Sequence, residues 1–246
     1  MALNYGPIYT SVSDIVGPSG FYNIKYNNSY ITAYIDQEYL GGGWVCVMAN
    51  RKDTGGITNL SYNNAVSTCN YRAGTNPGTN TIVAGTSGLS GLANYNIFVG
   101  TSYWQFLGGR ANAGKVEVVQ FVSNTNGTAL GNTGAHTKRY RWRFDGFTST
   151  FAFSNPVAVS DETGTGSPGM YSYHAASGFS LTTYDNDQDA YGSGNCSTFY
   201  SNSAFWYGAC WSGNVWGGGP SNYYQDAYYW DGSGNDYHQY GAVYIK

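Results

Sequence analysis

Charge is the property this chain has least of. Only 10% of its 246 residues are charged, and its formal net charge is -3 with a pI near 5.4. Such a chain has no global positive field, so nucleic acid is not an expected partner. The one basic cluster, KRYRWRF at residues 138–144, alternates along a predicted strand. A solvated strand face is favoured there over an anion site.

Groups that commonly perform acid–base catalysis are also scarce. The only glutamates are Glu38, Glu117 and Glu162, the three histidines lie far apart in sequence, and no G-x-S-x-G motif occurs. A glycosidase pair would have to come from aspartates alone. The sequence therefore predicts a protein that is not an enzyme.

Long apolar runs are absent, so no membrane span is expected. The N-terminus, MALNYGPIYTSVSD, lacks the basic region and apolar core of a signal peptide. Either a signal was replaced by a start Met, or the protein leaves its cell another way, as a phage protein released by lysis does. The expected location is extracellular or on a virion surface.

Glycine and aromatic residues are abundant, with 35 Gly, 25 Tyr and 7 Trp. A surface built from Asn, Ser, Thr, Gly and Tyr suits hydrogen bonding and stacking, as in sugar-binding proteins. Aromatic residues crowd the segment 206–230, where Trp206, Tyr207, Trp211 and Tyr224 are candidate ligand-binding residues. The competing interpretation is that these rings fill an irregular core.

Short β-branched and aromatic runs recur between Gly, Asn and Ser turns, which predicts an α+β fold that is mostly strands and loops. Strands are predicted at 21–26, 29–34, 43–49, 116–122, 140–144, 150–153 and 242–245, and helices at 63–69 and 102–107. We expect one domain over 1–246, with an N-terminal part (1–53), a central sheet (54–166) and an irregular C-terminal lobe (167–246).

Four cysteines allow three pairings. Cys196 and Cys210 bracket a short aromatic loop, so a bridge between them is favoured. Cys46 and Cys69 either pair or are free. Zinc is disfavoured, because the C-x-x-C spacing and nearby histidines are missing.

Alternate aspartates, Asp185, Asp187 and Asp189, occur in the stretch YDNDQDAYGSGNC. Adjacent carboxylates repel one another, and a hard cation such as Ca²⁺ removes that repulsion. An EF-hand loop is excluded, because its Gly and Glu positions hold Ala190 and Cys196. A different calcium loop and a solvated acidic turn both remain open.

The order of these features resembles the fibrinogen C-terminal-like domain of fibrinogen chains, ficolins, tachylectins and angiopoietins. The motifs that carry the resemblance run through nearly the whole chain: GFYNIK at 20–25, AYID at 33–36, GGGWV at 41–45, RKD at 51–53, NIFVG at 96–100, VEVV at 116–119, YSYH at 171–174, FSLTTYD at 179–185, GNC at 194–196 and FWY at 205–207. The segment 54–95 matches poorly.

The resemblance implies an antiparallel sheet and a C-terminal lobe with a metal and a disulfide. It implies calcium held by the side chains of Asp187 and Asp189 and by backbone carbonyls of Tyr191 and one further residue. An extra residue before GNC leaves Gly192, Ser193 or Gly194 for the second carbonyl, and we assign Ser193.

Two departures from the family pattern affect the expected sites. Ile35 replaces the first cysteine of the family's other disulfide, and Trp211 replaces the histidine that lines its ligand pocket. The identity of the ligand therefore does not transfer from the family to this chain.

Two functions are consistent with the sequence. One is a calcium-stabilised recognition or adhesion module for glycans or acetylated surface groups, acting as a homo-oligomer or in multivalent display. The alternative is a virion structural protein, a capsid decoration or tail-fibre component of a phage, whose partners are other virion proteins.

Overall fold

The computed structural model describes residues 6–51, 81–84, 95–99, 103–108, 116–123, 138–147, 153–154, 157–163, 180–182, 187–199, 205–210, 213–214, 227–230, 235–238 and 240–246. The helix predicted at 102–107 is confirmed as α1 (Trp104–Leu107), and the one predicted at 63–69 lies outside the described residues. Within those ranges, no helix is both long and apolar enough to cross a membrane.

One large sheet organises the fold. Its strands in chain order are β1 (Ile8–Tyr9), β2 (Gly20–Tyr26), β3 (Ser29–Asp36), β4 (Trp44–Arg51), β5 (Thr81–Ala84), β6 (Tyr95–Phe98), β7 (Val116–Ser123), β8 (Lys138–Phe144), β11 (Val157–Thr163) and β17 (Tyr240–Ile245). Their spatial order is β1-β2-β3-β4-β17-β7-β8-β11, and β6 pairs with both β4 and β5. Only the pairing of β1 with β2 is parallel.

Smaller sheets lie between and after these strands. They comprise β9 (Gly146–Phe147) with β10 (Phe153–Ser154), β12 (Ser180–Thr182) with β13 (Phe205–Tyr207), and β14 (Gly213–Asn214), β15 (Ala227–Trp230) and β16 (Asn235–His238). A short helix, α2 (Cys196–Phe199), precedes β13, and single 3₁₀ turns occur at Val12–Asp14 and Tyr39–Gly41.

The centre of the large sheet joins the beginning and the end of the chain. Strand β17 pairs with β4 on one side and with β7 on the other. Residues 44–49 of β4 and 242–245 of β17 are all buried. A strand that is apolar on both faces is typical of a sheet interior that is covered on both sides. Among the residues that the structure describes, the largest fully buried side chains are Trp44, Trp104, Trp206, Tyr244 and Phe144.

The hairpin of β2 and β3 shows why the N-terminal strands form where the sequence predicts them. Its register pairs Tyr26 with Ser29, which leaves a two-residue turn. Asn27 in that turn has a φ of 52°, a left-handed conformation that asparagine tolerates better than most residues. Ile24 and Ile31 face each other and are buried.

The basic segment at 138–144 is not a uniformly solvated face. Arg139 is only 4% exposed, and its guanidinium carbon lies 4.9 Å from the centroid of the Tyr39 ring. Burial lowers the pKa of Arg139. Arg143 forms a salt bridge with Glu117. The solvated interpretation is therefore wrong for Arg139, because an arginine over an aromatic face is stabilised away from water.

Predicted strands at 21–26, 29–34, 43–49, 116–122, 140–144 and 242–245 are confirmed within two residues at each end. Of the strand predicted at 150–153, Phe153 begins β10, and residues 150–152 lie outside the described residues. The predicted class is confirmed as mostly strands in an antiparallel sheet, with few helices and a disulfide.

Candidate functional site

The loop formed by residues 187–195 is fixed to the short sheet of β12 and β13. The backbone N–H of Gln188 donates to Thr182 Oγ1 at 3.2 Å, and Thr182 is buried in β12. The N–H of Ala190 donates to the carbonyl of Gly208, just after β13, at 3.0 Å. These two anchors hold an exposed, glycine-rich loop against buried structure.

Asp189 is the centre of this loop. Its Oδ1 accepts from the backbone N–H of Tyr191 at 2.9 Å, and its Oδ2 accepts from the N–H of Cys196 at 2.8 Å. Partial burial raises the pKa of Asp189, the two backbone N–H groups oppose that rise, and the Asp187 carboxyl group adds to it. The sequence thus brings two predicted metal-binding carboxylates together, and one of them is partly desolvated.

A disulfide joins the loop to the end of β13. Cys196 and Cys210 are bridged, with Cα atoms 4.8 Å apart, which confirms the predicted pair. Asn195 caps α2, since its Oδ1 accepts from the N–H of Ser197 at 2.8 Å. Cys210 has a φ of 73°, a left-handed conformation that is unfavourable for a residue with a Cβ. The bridge and the cap together fix the backbone that supplies the Cys196 N–H to Asp189.

Two exposed aromatic rings contact each other, one on this loop and one at the end of α2. Phe199 is 60% exposed and Tyr191 is 37% exposed, and their ring centroids are 5.8 Å apart in an edge-to-face arrangement. A Cβ on Gly194 would lie 3.0 Å from the Phe199 ring, so the glycine allows that ring to cover the loop. Phe199 was missed from the sequence, because nothing in STFYS distinguishes an exposed ring from a core ring.

The predicted ligand-binding aromatics have a different environment. Trp206 and Tyr207 are each 2% exposed, and the Trp206 ring centroid lies 5.5 Å from that of Trp104. Both side chains belong to the core among the described residues. Trp211 and Tyr224 lie outside the described residues. That these four residues bind a ligand stays a prediction.

Of the remaining predicted site residues, some lie within the described residues and one does not. The side chain of Asp187 is exposed, and Ser193 lies in the same loop. Cys46 is a buried free thiol that donates to the carbonyl of Met48 at 3.4 Å, and Cys69 is outside the described ranges. Burial raises the pKa of the Cys46 thiol well above its ordinary range, so this group is inert at neutral pH.

Residues 128–243 match the sequence model of the C-terminal globular domain of fibrinogen beta and gamma chains. The whole chain superimposes on the fibrinogen-like globe domain of human ANGPTL6, with a TM-score of 0.58 over 100% of this chain and 98% of that one. The chain has a fibrinogen-like fold. At 19% identity, the similarity to ANGPTL6 shows the fold alone.

A second solved fibrinogen-like globe domain, that of human ANGPTL2, is similar in the same way. Its TM-score is 0.55 at 17% identity, over 96% of this chain and 95% of that one. No curated protein sequence matches the chain closely enough to count as a relative. The predicted resemblance is therefore confirmed by a family match and by fold. Fibrinogen-like domains are typically non-enzymatic binding modules and are usually extracellular.

The loop at 187–195 provides oxygen atoms that a metal could bind, but not a cluster of three titratable side chains. Across the part of the chain that the structure describes, no three His, Cys, Asp or Glu side chains converge as a metal would require of them. Calcium does not need such a cluster, because carboxylates, backbone carbonyls and water together satisfy it. Two aspartates beside a turn of exposed backbone are compatible with that donor set.

Proposed function

We propose that this fibrinogen-like domain is a calcium-stabilised, non-enzymatic recognition module for glycans or acetylated groups on surfaces. The observation that carries the proposal is that the anchored loop at 187–195 holds two carboxylates and an exposed ring that contacts a second exposed ring at the end of α2. The backbone N–H of Tyr191 donates to Asp189, whose carboxyl group interacts with that of Asp187, and the exposed Tyr191 ring contacts the exposed ring of Phe199.

Calcium would be held by the side chains of Asp187 and Asp189 and by the backbone carbonyls of Tyr191 and Ser193. Partial burial and, to a smaller extent, the Asp187 carboxyl group both disfavour ionised Asp189 in the absence of a cation. A divalent ion would reverse both effects, since it favours the charged form of each ligand. Its role here is to make the loop rigid, and no chemical step depends on it.

Recognition would use the exposed rings beside the ion. Aromatic faces stack on the apolar faces of sugar rings and lose little conformational entropy on ordering. A rigid loop lowers the entropic penalty of binding further. A shallow site of two rings still gives weak single-site affinity, so useful adhesion needs many copies, in a homo-oligomer or a multivalent display.

A glycan array probed with a multivalent form of the protein tests this function. We expect binding that requires calcium and that Phe199→Ala reduces several-fold. Tyr30→Ala is the matched control, because Tyr30 is a 51% exposed ring on β3 that belongs to neither the loop nor α2, and its removal should leave binding unchanged. If the multivalent form binds no glycan or cell surface with or without calcium, the recognition function is wrong. The alternative of a virion structural component would then be the better account.

A further inference from the structure

A pocket of about 340 Å³ lies beside the glycine-rich turn that precedes β4, and none of its described lining residues belongs to the loop at 187–195. We call it the glycine-turn pocket and define it by six of its lining residues: Val12, Ser13, Ile15, Gln37, Leu107 and Lys246. Its volume is near the lower end of the roughly 300–1,000 Å³ typical of small-molecule sites. The residues that define it lie outside the segment 128–243 that matches the family model, and the proposed function does not involve them.

One wall of the glycine-turn pocket is fixed by Gln37. Its Nε2 donates to the carbonyl of Ile15 at 3.1 Å, and its Oε1 accepts from the N–H of Gly43 at 3.0 Å. Asp36, fully buried, accepts from the N–H of Tyr39 at 2.9 Å at the start of the same turn. These bonds join the turn to the segment around Ile15, so this wall is pre-formed.

The turn itself has an unusual backbone. Leu40 has a φ of 40°, and Gly41, Gly42 and Gly43 follow with φ values of 80°, 74° and 76°. A left-handed conformation is unfavourable for leucine and persists only where the surroundings enforce it. Such strained turns cluster at ligand sites and at other places where function needs a fixed backbone.

Among the described residues that line the pocket, Lys246 has the only charged side chain. Its Nζ donates to the carbonyl of Leu40 at 3.3 Å and lies 5.6 Å from the centroid of the Trp44 ring. Its backbone is fixed, since its N–H and C=O each bond to Glu117 at 2.9 Å. An ammonium group has three donors, and among the described residues one of them is used.

The neighbouring charged side chains of Lys246 leave its ammonium group able to bind an anion. Burial lowers the pKa of Lys246, Glu117 raises it and Arg141 lowers it. The Glu117 carboxylate is itself engaged, because Arg143 Nε donates to its Oε1 at 2.8 Å. An anion in the pocket would therefore meet a partly desolvated cation, and the acidic neighbour Glu117 is already paired with Arg143.

We propose that the glycine-turn pocket binds a small aliphatic carboxylate. The carboxylate would accept hydrogen bonds from Lys246 Nζ. The aliphatic part would contact Val12, Ile15 and Leu107, which are buried apolar side chains at the pocket wall. A pocket of apolar walls with one placed polar group is the usual form of a small-molecule site.

Four probes of graded chemistry test the proposal on the unmodified protein: hexanoate, hexan-1-ol, hexylamine and acetate. Titrations are followed by methyl NMR, which locates the probe, and by calorimetry. Hexanoate should bind saturably and shift the methyl resonances of Val12, Ile15 and Leu107. Hexan-1-ol should bind more weakly at the same place, hexylamine should not bind, and acetate should be weaker than hexanoate because it lacks the aliphatic part.

Removing the ammonium group gives a second test. Lys246→Met should weaken hexanoate about five- to tenfold, the range for a partly exposed charge-assisted hydrogen bond, and leave hexan-1-ol unchanged. Lys25→Met is the matched control, because Lys25 is exposed on β2. The proposal is overturned if hexanoate does not saturate, if hexylamine binds as tightly, or if the methyl shifts lie elsewhere. The probe series decides even if Lys246→Met does not fold.

Discussion

The bridge between Cys196 and Cys210 allows a quantitative prediction. The two residues are separated by 14 positions, and the chain-entropy model gives about 3 kcal/mol for a loop of about 15 residues. The double variant Cys196→Ser, Cys210→Ser should therefore lose about 3 kcal/mol of unfolding free energy. For a domain of this size, that corresponds to a fall in melting temperature of about 6–12 °C.

Urea unfolding followed by tryptophan fluorescence measures the effect, with both proteins free of reductant. Dithiothreitol added to the double variant is the control, since the bridge is already absent and no further loss is expected. The bridge also positions the Cys196 N–H that donates to Asp189. If the two unfolding free energies agree within about 0.5 kcal/mol, the bridge does not constrain the unfolded chain.

Three further predictions concern the loop, the glycine turn and the core. Burial and the Asp187 carboxyl group raise the pKa of Asp189. The ionised Asp189 side chain therefore destabilises the calcium-free fold at pH values above that pKa. This loss of stability disappears as the pH falls through the pKa of Asp189 and the side chain becomes protonated. Melting curves across pH should accordingly show the stabilisation by calcium fading over the same interval, and a calcium effect that persists at lower pH would contradict this. In urea unfolding, Gly42→Ala should lower the unfolding free energy more than Gly41→Ala does. Both positions have positive φ, but only at Gly42 would the added methyl group collide with Gln37 Oε1. Equal losses of unfolding free energy would disprove this steric explanation. Trp206→Ala should lose about 3–5 kcal/mol as a buried side chain, whereas Phe199→Ala should lose under about 1 kcal/mol; similar losses would contradict their different burial.

The large sheet was predictable wherever alternation of residue types was strong. Strands β2, β3 and β7 carry β-branched and aromatic residues at the spacing that a half-buried strand requires. Strand β11 was missed, because its sequence VAVSDET turns polar in its second half. Pairing with β8 stabilises β11, and the sequence of β11 alone does not indicate that pairing.

The position of β17 within the sheet could not be predicted from local sequence patterns either. The sequence predicts a strand near the end of the chain but not that it lies between β4 and β7. That position depends on pairing across most of the chain. The short strands β12 and β13 were missed for a similar reason, since each has only three residues and their pairing joins segments that are distant in sequence.

At the candidate site, charge patterning was more informative than aromatic content. The alternation of aspartates predicts proximity of Asp187 and Asp189, because residues so close along a loop cannot separate far. Aromatic content does not determine burial. Trp206 fills the core beside Trp104, whereas Phe199 remains exposed over Gly194. Only the tertiary arrangement distinguishes the two rings.

Thermal unfolding of the metal-free protein decides whether the loop at 187–195 binds calcium as proposed. After removal of metal with EDTA, added calcium should raise the melting temperature in a saturable way, because the folded loop binds the ion and the unfolded chain scarcely does. Asp187→Ala should abolish most of that rise, and Asp161→Ala, in β11, should not. A melting curve unchanged by EDTA and by calcium, with no bound ion found by elemental analysis, would contradict the account.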